Sequence, residues 1–159
     1  MEAVSVELRK LDVSSPVFEH RGFIPFHHTI DGENVNPALE VRFFPADTKS
    51  LVLMMEDEEA PDYNGLHWIC WNIPPIHKIQ EDTRLGINGM NSFENNIYHG
   101  PCPEEGTRRY MFKIYALDTM LKLKAAATRA ELELAMCAHI LAYGELMGLY
   151  RRLSQQLMF

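Results

Sequence analysis

The sequence has few cysteines, and none lies close to another along the chain. Its 159 residues include three, Cys70, Cys102 and Cys137, with no Cys-x-x-Cys motif. An odd number of widely spaced cysteines argues against a disulfide framework and against a thiolate zinc site. We therefore expect each of the three to be buried as a small apolar side chain.

Long apolar runs and an excess of positive charge are also missing. No stretch approaches the roughly eighteen consecutive apolar residues that a membrane-spanning helix needs. The opening MEAVSVELRKLDVSS has no long apolar run after a basic start, so we expect no secretory signal and a cytoplasmic location. The 15 Lys and Arg residues against 22 Asp and Glu give a net charge of −7, which argues against nucleic acid as the main partner.

Several catalytic and cofactor motifs are absent as well. The sequence contains no Gly-x-Ser-x-Gly nucleophile motif, no Gly-x-x-x-x-Gly-Lys phosphate loop, no Gly-x-Gly-x-x-Gly loop and no His-Glu-x-x-His zinc motif. We therefore expect no cofactor, no metal and no enzymatic activity.

An acidic stretch, EDEEAPDYNGLHW at 56–68, raises four alternatives. It could be a catalytic carboxylate pair, a metal site, a solvated loop or half of a pocket. The Asp-x-Asp-x-Asp-Gly spacing of a calcium loop is absent, and a catalytic pair would need buried carboxylates. We expect Glu56, Glu58 and Glu59 to face water.

The first two thirds of the chain read as short apolar runs separated by turn residues, a pattern typical of sandwiches and barrels. The runs at 50–56, 66–74 and 109–118 are predicted strands. In the third, Tyr110 and Phe112 lie on one face and Met111 and Lys113 on the other, the two-residue period of a strand. Length and composition fit one domain over residues 1–159.

The character changes near residue 128. TRAELELAMCAHILAYGELMGLYRRLSQQ contains no proline and opens with Thr128 and Glu131, the spacing of a capping box. We predict a helical tail, divided near Gly144 into two shorter helices. His139 is predicted to lie on the apolar helix face, at the rim of the core and not as a ligand.

Three loops could converge on a small polar pocket. Asp57 closes the run that ends at 56, His67 opens the next predicted strand, and YHGPCPEEGTRRY at 98–110 ends in two arginines. The sequence therefore favours a pocket built from the ends of several strands.

Four segments, in the same order and at similar spacing, resemble the phosphatidylethanolamine-binding protein family, also called the Raf kinase inhibitor protein family. They are FIPFHHTIDGENVNPALEVRFFPADTKSLVLMMEDEEAP, HWICWNIP, GPCPEEGTRRYMFKIYALD and ELAMCAHILAYGELMGLY. The likeness is greatest to the bacterial and archaeal YbhB/YbcL-like branch. It implies a mostly β fold, a Greek-key β-sandwich with C-terminal helices.

The resemblance also implies a small cavity that binds phosphate-like anions or phospholipid head groups, and regulation of a kinase or protease partner. A carboxylate-bearing ligand is a further candidate, and the alternative is a protein-interaction module with a vestigial pocket. Arg109 and Tyr110 match the family's Arg-Tyr pair, which follows a second pocket His. The residues that we assign to the pocket are Asp57, Ala60, Pro61, His67, Gly100, Pro101, Arg108 and Tyr110.

The chain departs from the family pattern at several positions. Arg108 replaces the second pocket His, and its role is open in three ways. It could bind an anion with little pH dependence, pair with Asp57 and close the cavity, or point to solvent beside a non-functional pocket. The other departures are Glu58 for Pro and Glu59 for Asp in the acidic motif, Val41 for Trp, and Glu104 for Pro.

Overall fold

The computed structural model describes residues 8–61 and 65–152. Short strands and loops make up much of this part of the chain, and its two longest strands are paired with each other. The elements are β1 (Arg9–Lys10), β2 (Asp12–Ser14), β3 (Gly22–Phe23), a 3-10 turn (Phe26–His28), β4 (Leu39–Arg42), β5 (Ser50–Asp57), β6 (Leu66–Ile73), β7 (Lys78–Ile79), β8 (Ile87–Asn88), β9 (Arg108–Leu117), α1 (Arg129–Met136) and β10 (Ile140–Tyr150).

The strands form two sheets. The larger has the order β1-β10-β9-β5-β6-β8, with β3 also paired to β10, and the smaller has the order β2-β4-β7. Apolar side chains from both sheets share one core, including Leu39 and Val41 of the smaller sheet and Leu53 and Phe112 of the larger. The predicted mostly β fold class is confirmed.

The central strands of the larger sheet are covered on both faces. Leu51 and Leu53 of β5 face the smaller sheet, whereas Val52 and Met54 face a second apolar cluster that includes Leu132 of α1. A strand buried on both faces reads as a continuous apolar run, which is the pattern of SLVLMM. The three predicted strands are confirmed as β5, β6 and β9.

Helix α1 begins as the sequence predicted. The Thr128 hydroxyl accepts a hydrogen bond from the Glu131 N–H, and the Glu131 carboxylate accepts one from the Thr128 N–H, so both halves of the capping box are present. This arrangement satisfies two backbone donors that the helix itself leaves unpaired.

The predicted helices beyond α1 are wrong, because residues 140–150 form the strand β10. β10 pairs with β9 along its whole length, with Glu145 opposite Lys113 and Gly144 opposite Ile114. Gly144 marks no break: a Cβ there would lie 2.5 Å from the Leu11 carbonyl oxygen, so glycine permits the close approach of a neighbouring segment. His139 does not lie on a helix face; it follows α1, is about half-exposed and pairs with Asp118.

The expectation that all three cysteines are buried is wrong for one of them. Cys70 is buried and Cys102 is half-buried, but Cys137 is exposed. Cys137 is the residue that caps the C-terminal end of α1, and the buried face of that helix is formed by Leu132 and Met136. None of the helices in the described ranges has both the length and the apolar character to cross a membrane.

Candidate functional site

Sheet topology brings the predicted polar residues together at one end of the central strands of the larger sheet. β5 lies between β6 and β9 and is antiparallel to both. The end of β5 therefore lies beside the start of β6 and the start of β9, which places Asp57 opposite Tyr110. We call Asp57, His67, Gly100, Arg108 and Tyr110 the strand-edge cluster.

Asp57 joins the acidic loop to Arg108. Its Oδ1 accepts a hydrogen bond from the Glu59 N–H at 2.9 Å, and its Oδ2 accepts one from Arg108 Nη1 at 2.9 Å. The side chain of Asp57 is 7% exposed and that of Arg108 is 27% exposed. The hydrogen bond that Arg108 donates to Asp57 raises the pKa of Arg108. Of the three roles considered for Arg108, the structure has the ion pair with Asp57.

The loop that follows Asp57 is compact. The Ala60 N–H approaches the Asp57 carbonyl oxygen at 3.3 Å, and a Cβ at position 65 would lie 2.6 Å from the Ala60 Cβ. Ala60 is half-buried and Pro61 is exposed. The backbone of Ala60 is therefore held close to that of Asp57, whereas Pro61 lies at the surface of this loop.

The carboxylates of the acidic stretch have different surroundings. Glu59 accepts hydrogen bonds from the backbone N–H and the Nε of Arg109, and these bonds lower its pKa against the effect of its partial burial. Glu56 does not face water as we expected. Its side chain is 13% exposed and accepts hydrogen bonds from Lys113 and Arg129, two cations that lie over the same face of the sheet.

His67 lies at an irregularity in the pairing of β5 with β6. Met55 pairs with Trp68 and Glu56 with Leu66, so His67 is an extra residue at a bulge. Its ring is buried, and Nδ1 lies 2.7 Å from the His99 carbonyl oxygen. A carbonyl oxygen accepts, so Nδ1 carries the proton and Nε2 has a free lone pair. Burial lowers the pKa of His67 to about 4, which leaves the ring neutral at pH 7.

Gly100 and Pro101 belong to a loop that is fixed against residues 28–34. The Gly100 N–H donates to Asn34 Oδ1 at 2.7 Å, and the Pro101 carbonyl oxygen accepts from the Ile30 N–H at 3.1 Å. A Cβ at position 100 would lie 2.3 Å from the His28 carbonyl oxygen. Only glycine allows the two segments to approach this closely.

Tyr110 brings a buried hydroxyl to the cluster. Within the described part of the chain, this hydroxyl has no hydrogen-bond partner of good geometry. Burial raises the pKa of Tyr110, with the Asp57 charge as the next cause, although the backbone of Cys102 lies near enough to lower it in part. Its ring meets that of His67 edge to face, with centroids 5.3 Å apart. The hydroxyl is thus a buried donor that could bind an acceptor on a ligand.

Sequence reasoning missed His99, Phe93 and Cys102 as members of this region. The His99 ring stacks on Phe93 with centroids 3.6 Å apart, and its Nδ1 lies 4.0 Å from Cys102 Sγ. One ring nitrogen each of His67 and His99 and the Sγ of Cys102 are atoms that could bind a metal ion, and they lie within 4.8 Å of one another. The available signal was the position of His99 directly before Gly100 and Pro101; no pattern in the sequence pointed to Phe93.

The comparisons with known proteins agree with this architecture. A family model described as phosphatidylethanolamine-binding protein matches residues 14–151. A UPF0098 protein of Pyrococcus horikoshii is 45% identical over 157 residues, covering 92% of this chain and 79% of that protein. A UPF0098 protein of Methanothermobacter thermautotrophicus is 38% identical over 150 residues, covering 89% of this chain and 99% of that protein.

Two solved structures have the same fold. A crystal structure from Chlamydia trachomatis, described as a phosphatidylethanolamine-binding protein homologue, has a TM-score of 0.85 at 32% identity and covers 91% of this chain and 99% of its own. The crystal structure of Escherichia coli YbcL, described as a new member of the mammalian family of these proteins, has a TM-score of 0.81 at 25% identity, with 90% and 99% covered. This chain belongs to the phosphatidylethanolamine-binding protein family, in its bacterial and archaeal branch.

Proposed function

We propose that this protein binds a small phosphate- or carboxylate-bearing ligand at the strand-edge cluster and has no catalytic step of its own. The observation that carries the proposal is the buried Tyr110 hydroxyl, which finds no good hydrogen bond among the described residues and lies in the same cluster as the Arg108 guanidinium. A buried donor without an acceptor costs about 1–3 kcal/mol. An anion would supply the acceptor, and Arg108 would supply the positive charge.

Arg108 is the cation of this proposed site, because His67 is neutral at pH 7. Its guanidinium carries five N–H donors in a planar fork, and the contact with Asp57 is made by Nη1. The remaining N–H groups can donate to phosphate oxygens without breaking that contact. Since the guanidinium stays charged at all ordinary pH values, the charge of Arg108 should change little between pH 5 and 8, and any pH dependence of binding should follow the second ionisation of the phosphate, at about pH 6 for a phosphate ester.

Two features of the neighbouring residues Cys102 and His99 support binding without catalysis. Burial raises the pKa of the Cys102 thiol and lowers the pKa of His99, so this neighbouring pair stays a thiol and a neutral imidazole. A thiol is a weak nucleophile compared with a thiolate, and an uncharged imidazole does not stabilise the thiolate form. The Cys102 and His99 pair therefore lacks the activation that nucleophilic catalysis needs.

Family membership extends the proposal to the kind of ligand and partner. The phosphate could belong to a phospholipid head group or to a soluble phosphate ester, and both offer the same oxygens to Arg108 and Tyr110. A bound phosphate group on a kinase or protease partner would connect the cluster with regulation of that partner. The predicted cytoplasmic location is part of the same proposal.

A second candidate function is a protein-interaction module whose pocket no longer binds ligands. The ion pair between Asp57 and Arg108 favours it, because a carboxylate that already neutralises the guanidinium reduces its attraction for an anion. In this alternative, the surface and not the strand-edge cluster makes the functional contact.

Titration with inorganic phosphate and with O-phosphorylethanolamine, followed by calorimetry, separates the two candidates. We expect Tyr110→Phe to weaken phosphate binding about tenfold, because it removes one hydrogen bond to a charged group. Arg108→Gln should abolish binding. Arg109→Gln is the matched control, since the neighbouring arginine is exposed and pairs with Glu59.

The outcomes are distinct. Tighter binding of O-phosphorylethanolamine than of phosphate would indicate a head-group ligand. Equal affinities would indicate a site that contacts only the phosphate group. If the wild-type protein binds neither phosphate nor O-phosphorylethanolamine, the anion-site proposal is overturned and the interaction module is favoured. The same holds if Arg108→Gln binds these ligands as tightly as the wild type does.

A further inference from the structure

A second cluster of ligating side chains lies outside the strand-edge cluster. Nε2 of His27 lies 3.2 Å from Glu81 Oε1, and Nε2 of His28 lies 3.6 Å from the same oxygen. The ligand atoms of these three residues all lie within 4.8 Å of one another. When metal–ligand bonds are about 2.0–2.2 Å long and the geometry is tetrahedral, two atoms bound to the same ion lie roughly 3.3–3.6 Å apart. The two nitrogen–oxygen distances already match that spacing.

The backbone holds the two histidines in place. They occupy the 3-10 turn, where the His28 N–H donates to the Pro25 carbonyl oxygen at 3.0 Å. The Asn34 N–H then donates to the His27 carbonyl oxygen at 3.1 Å, which closes the loop back onto the turn. The two rings meet edge to face with centroids 4.8 Å apart.

Buried Asn36 fixes the loop that carries Glu81. Its Nδ2 donates to the Gln80 carbonyl oxygen at 2.9 Å, and its Oδ1 accepts from the Thr83 N–H at 2.9 Å. The residues on both sides of Glu81 are therefore tied to the same buried side chain. Glu81 reaches the histidines from a fixed loop, although its own side chain is half-exposed.

The other ring nitrogens have the partners that metal-bound histidines use. Nδ1 of His28 lies 2.9 Å from the Val35 carbonyl oxygen, and Nδ1 of His27 lies 3.5 Å from Glu33 Oε1. The Val35 carbonyl oxygen accepts from His28 Nδ1, which fixes the tautomer and leaves the lone pair on Nε2, and the nearby Glu33 carboxylate favours the same tautomer of His27. Both Nε2 atoms are the ones that face Glu81.

We propose that His27, His28 and Glu81 form a binding site for a divalent transition-metal ion, with zinc as the best fit. Two imidazole nitrogens and one carboxylate are a ligand set that zinc uses, with a fourth position open to water, whereas magnesium prefers oxygen ligands alone. Glu33 completes the site as the outer partner of His27. The ion would enter from solvent, because His27 is partly exposed and Glu81 about half-exposed.

This inference is independent of the proposed anion binding, since it uses none of the residues of the strand-edge cluster. Its test must exclude two other zinc ligand sources, the His67, His99 and Cys102 group and the exposed Cys137. The experiment therefore uses the full chain carrying Cys102→Ser and Cys137→Ser as the reference protein.

Calorimetric titration of the reference protein with ZnCl2 should show one bound ion, and titration with MgCl2 should show none. Adding His27→Gln or Glu81→Gln should weaken zinc binding at least about tenfold, and Glu33→Gln should weaken it about tenfold. His139→Gln is the matched control: it removes a surface histidine that pairs with one carboxylate, Asp118, and should leave the affinity unchanged.

Thermal unfolding gives a second readout. An ion that binds only the folded chain raises its melting temperature, so ZnCl2 should stabilise the reference protein and His139→Gln but not Glu81→Gln. Equal zinc affinity in the reference protein and in Glu81→Gln would overturn the proposal and leave these residues as simple ion pairs. Failure of the reference protein to bind zinc would overturn it too.

Discussion

Arg108 Nη1 lies 2.9 Å from Asp57 Oδ2 and joins the start of β9 to the end of β5. This pair stands at the centre of the strand-edge cluster, where Arg108 is the cation that we propose for anion binding. The same carboxylate also accepts the Glu59 N–H, so it shapes the acidic loop as well as restraining the guanidinium. Asp57 thus has a structural role that opposes ligand binding by charge.

Asp57→Asn separates these two roles. Asparagine keeps an oxygen that can accept the Glu59 N–H but loses the negative charge. We expect phosphate affinity to rise about tenfold, because a repelling charge is removed and Arg108 is released. The free energy of unfolding should fall by about 1–2 kcal/mol through loss of the charge-assisted hydrogen bond. Calorimetry and urea denaturation measure the two effects.

Glu59→Gln is the control for Asp57→Asn. It removes a neighbouring carboxylate that accepts hydrogen bonds from Arg109 and not from Arg108. Phosphate affinity should change less in this variant than in Asp57→Asn. An equal gain in both would mean that overall charge, and not the pair with Arg108, controls binding.

Burial of His67 makes the stability of the protein depend on pH. The pKa of this ring is about 4 in the folded chain, below the ordinary value of 6.5. Between these two values the unfolded state binds more protons than the folded state. The stabilising contribution of neutral, buried His67 to the free energy of unfolding is therefore fully present above about pH 6.5 and is lost as the pH falls towards 4. The contribution of His67 is at most about 3 kcal/mol. Burial also lowers the pKa values of His28 and His99, which add to the loss with the same sign.

Long-range nitrogen–proton NMR spectra of the His67 ring test this directly. The proton should stay on Nδ1, and the ring should stay neutral from pH 7 down to about pH 5. His67→Asn should flatten part of the pH dependence of urea unfolding between pH 6.5 and 4. A ring that becomes protonated near pH 6.5 would contradict the expectation.

Gly100→Ala should be strongly destabilising. The new Cβ would lie 2.3 Å from the His28 carbonyl oxygen and 2.7 Å from Asn34 Oδ1, so the loop before β9 would have to move. We expect a loss of at least about 3 kcal/mol, measured by urea denaturation. Gly106→Ala is the comparison: position 106 has open space but a φ of +69°, so the backbone alone should cost about 1–2 kcal/mol. Equal losses would contradict the close approach.

Glu56→Gln should also destabilise the fold. The substitution leaves Lys113 and Arg129, each about one fifth exposed, facing a neutral side chain. Because these cations keep some contact with water, we expect a loss of about 2 kcal/mol, less than for a wholly buried pair. Glu133→Gln removes a mostly exposed partner of the same arginine and should cost less than about 1 kcal/mol. Thermal denaturation at low and high salt compares the two variants.

The sequence predicted those features that depend on neighbours within one element. Alternation along β9 places Tyr110 and Phe112 in the core, and the spacing of Thr128 and Glu131 produces the capping box. The likeness to a known family then assigned Asp57 and His67 to one region, which the sheet topology brings together.

The prediction failed where a distant partner decides the structure. Residues 140–150 contain apolar side chains that suit either period, and their pairing with β9, about thirty residues earlier in the chain, makes them a strand. Glu56 was expected in water for the same reason, since nothing near it in sequence announces Lys113 and Arg129.

By itself, then, the sequence determined the mostly β class, the three central strands, the start of α1 and the presence of acidic, histidine and arginine side chains at strand ends. Only the tertiary structure decided that Arg108 pairs with Asp57, that His67 is buried and neutral, and that Glu81 meets His27 and His28. The physical reason is distance along the chain. Periodicity and capping act between residues a few positions apart, whereas burial, ion pairing and ligand geometry depend on segments that folding alone brings together.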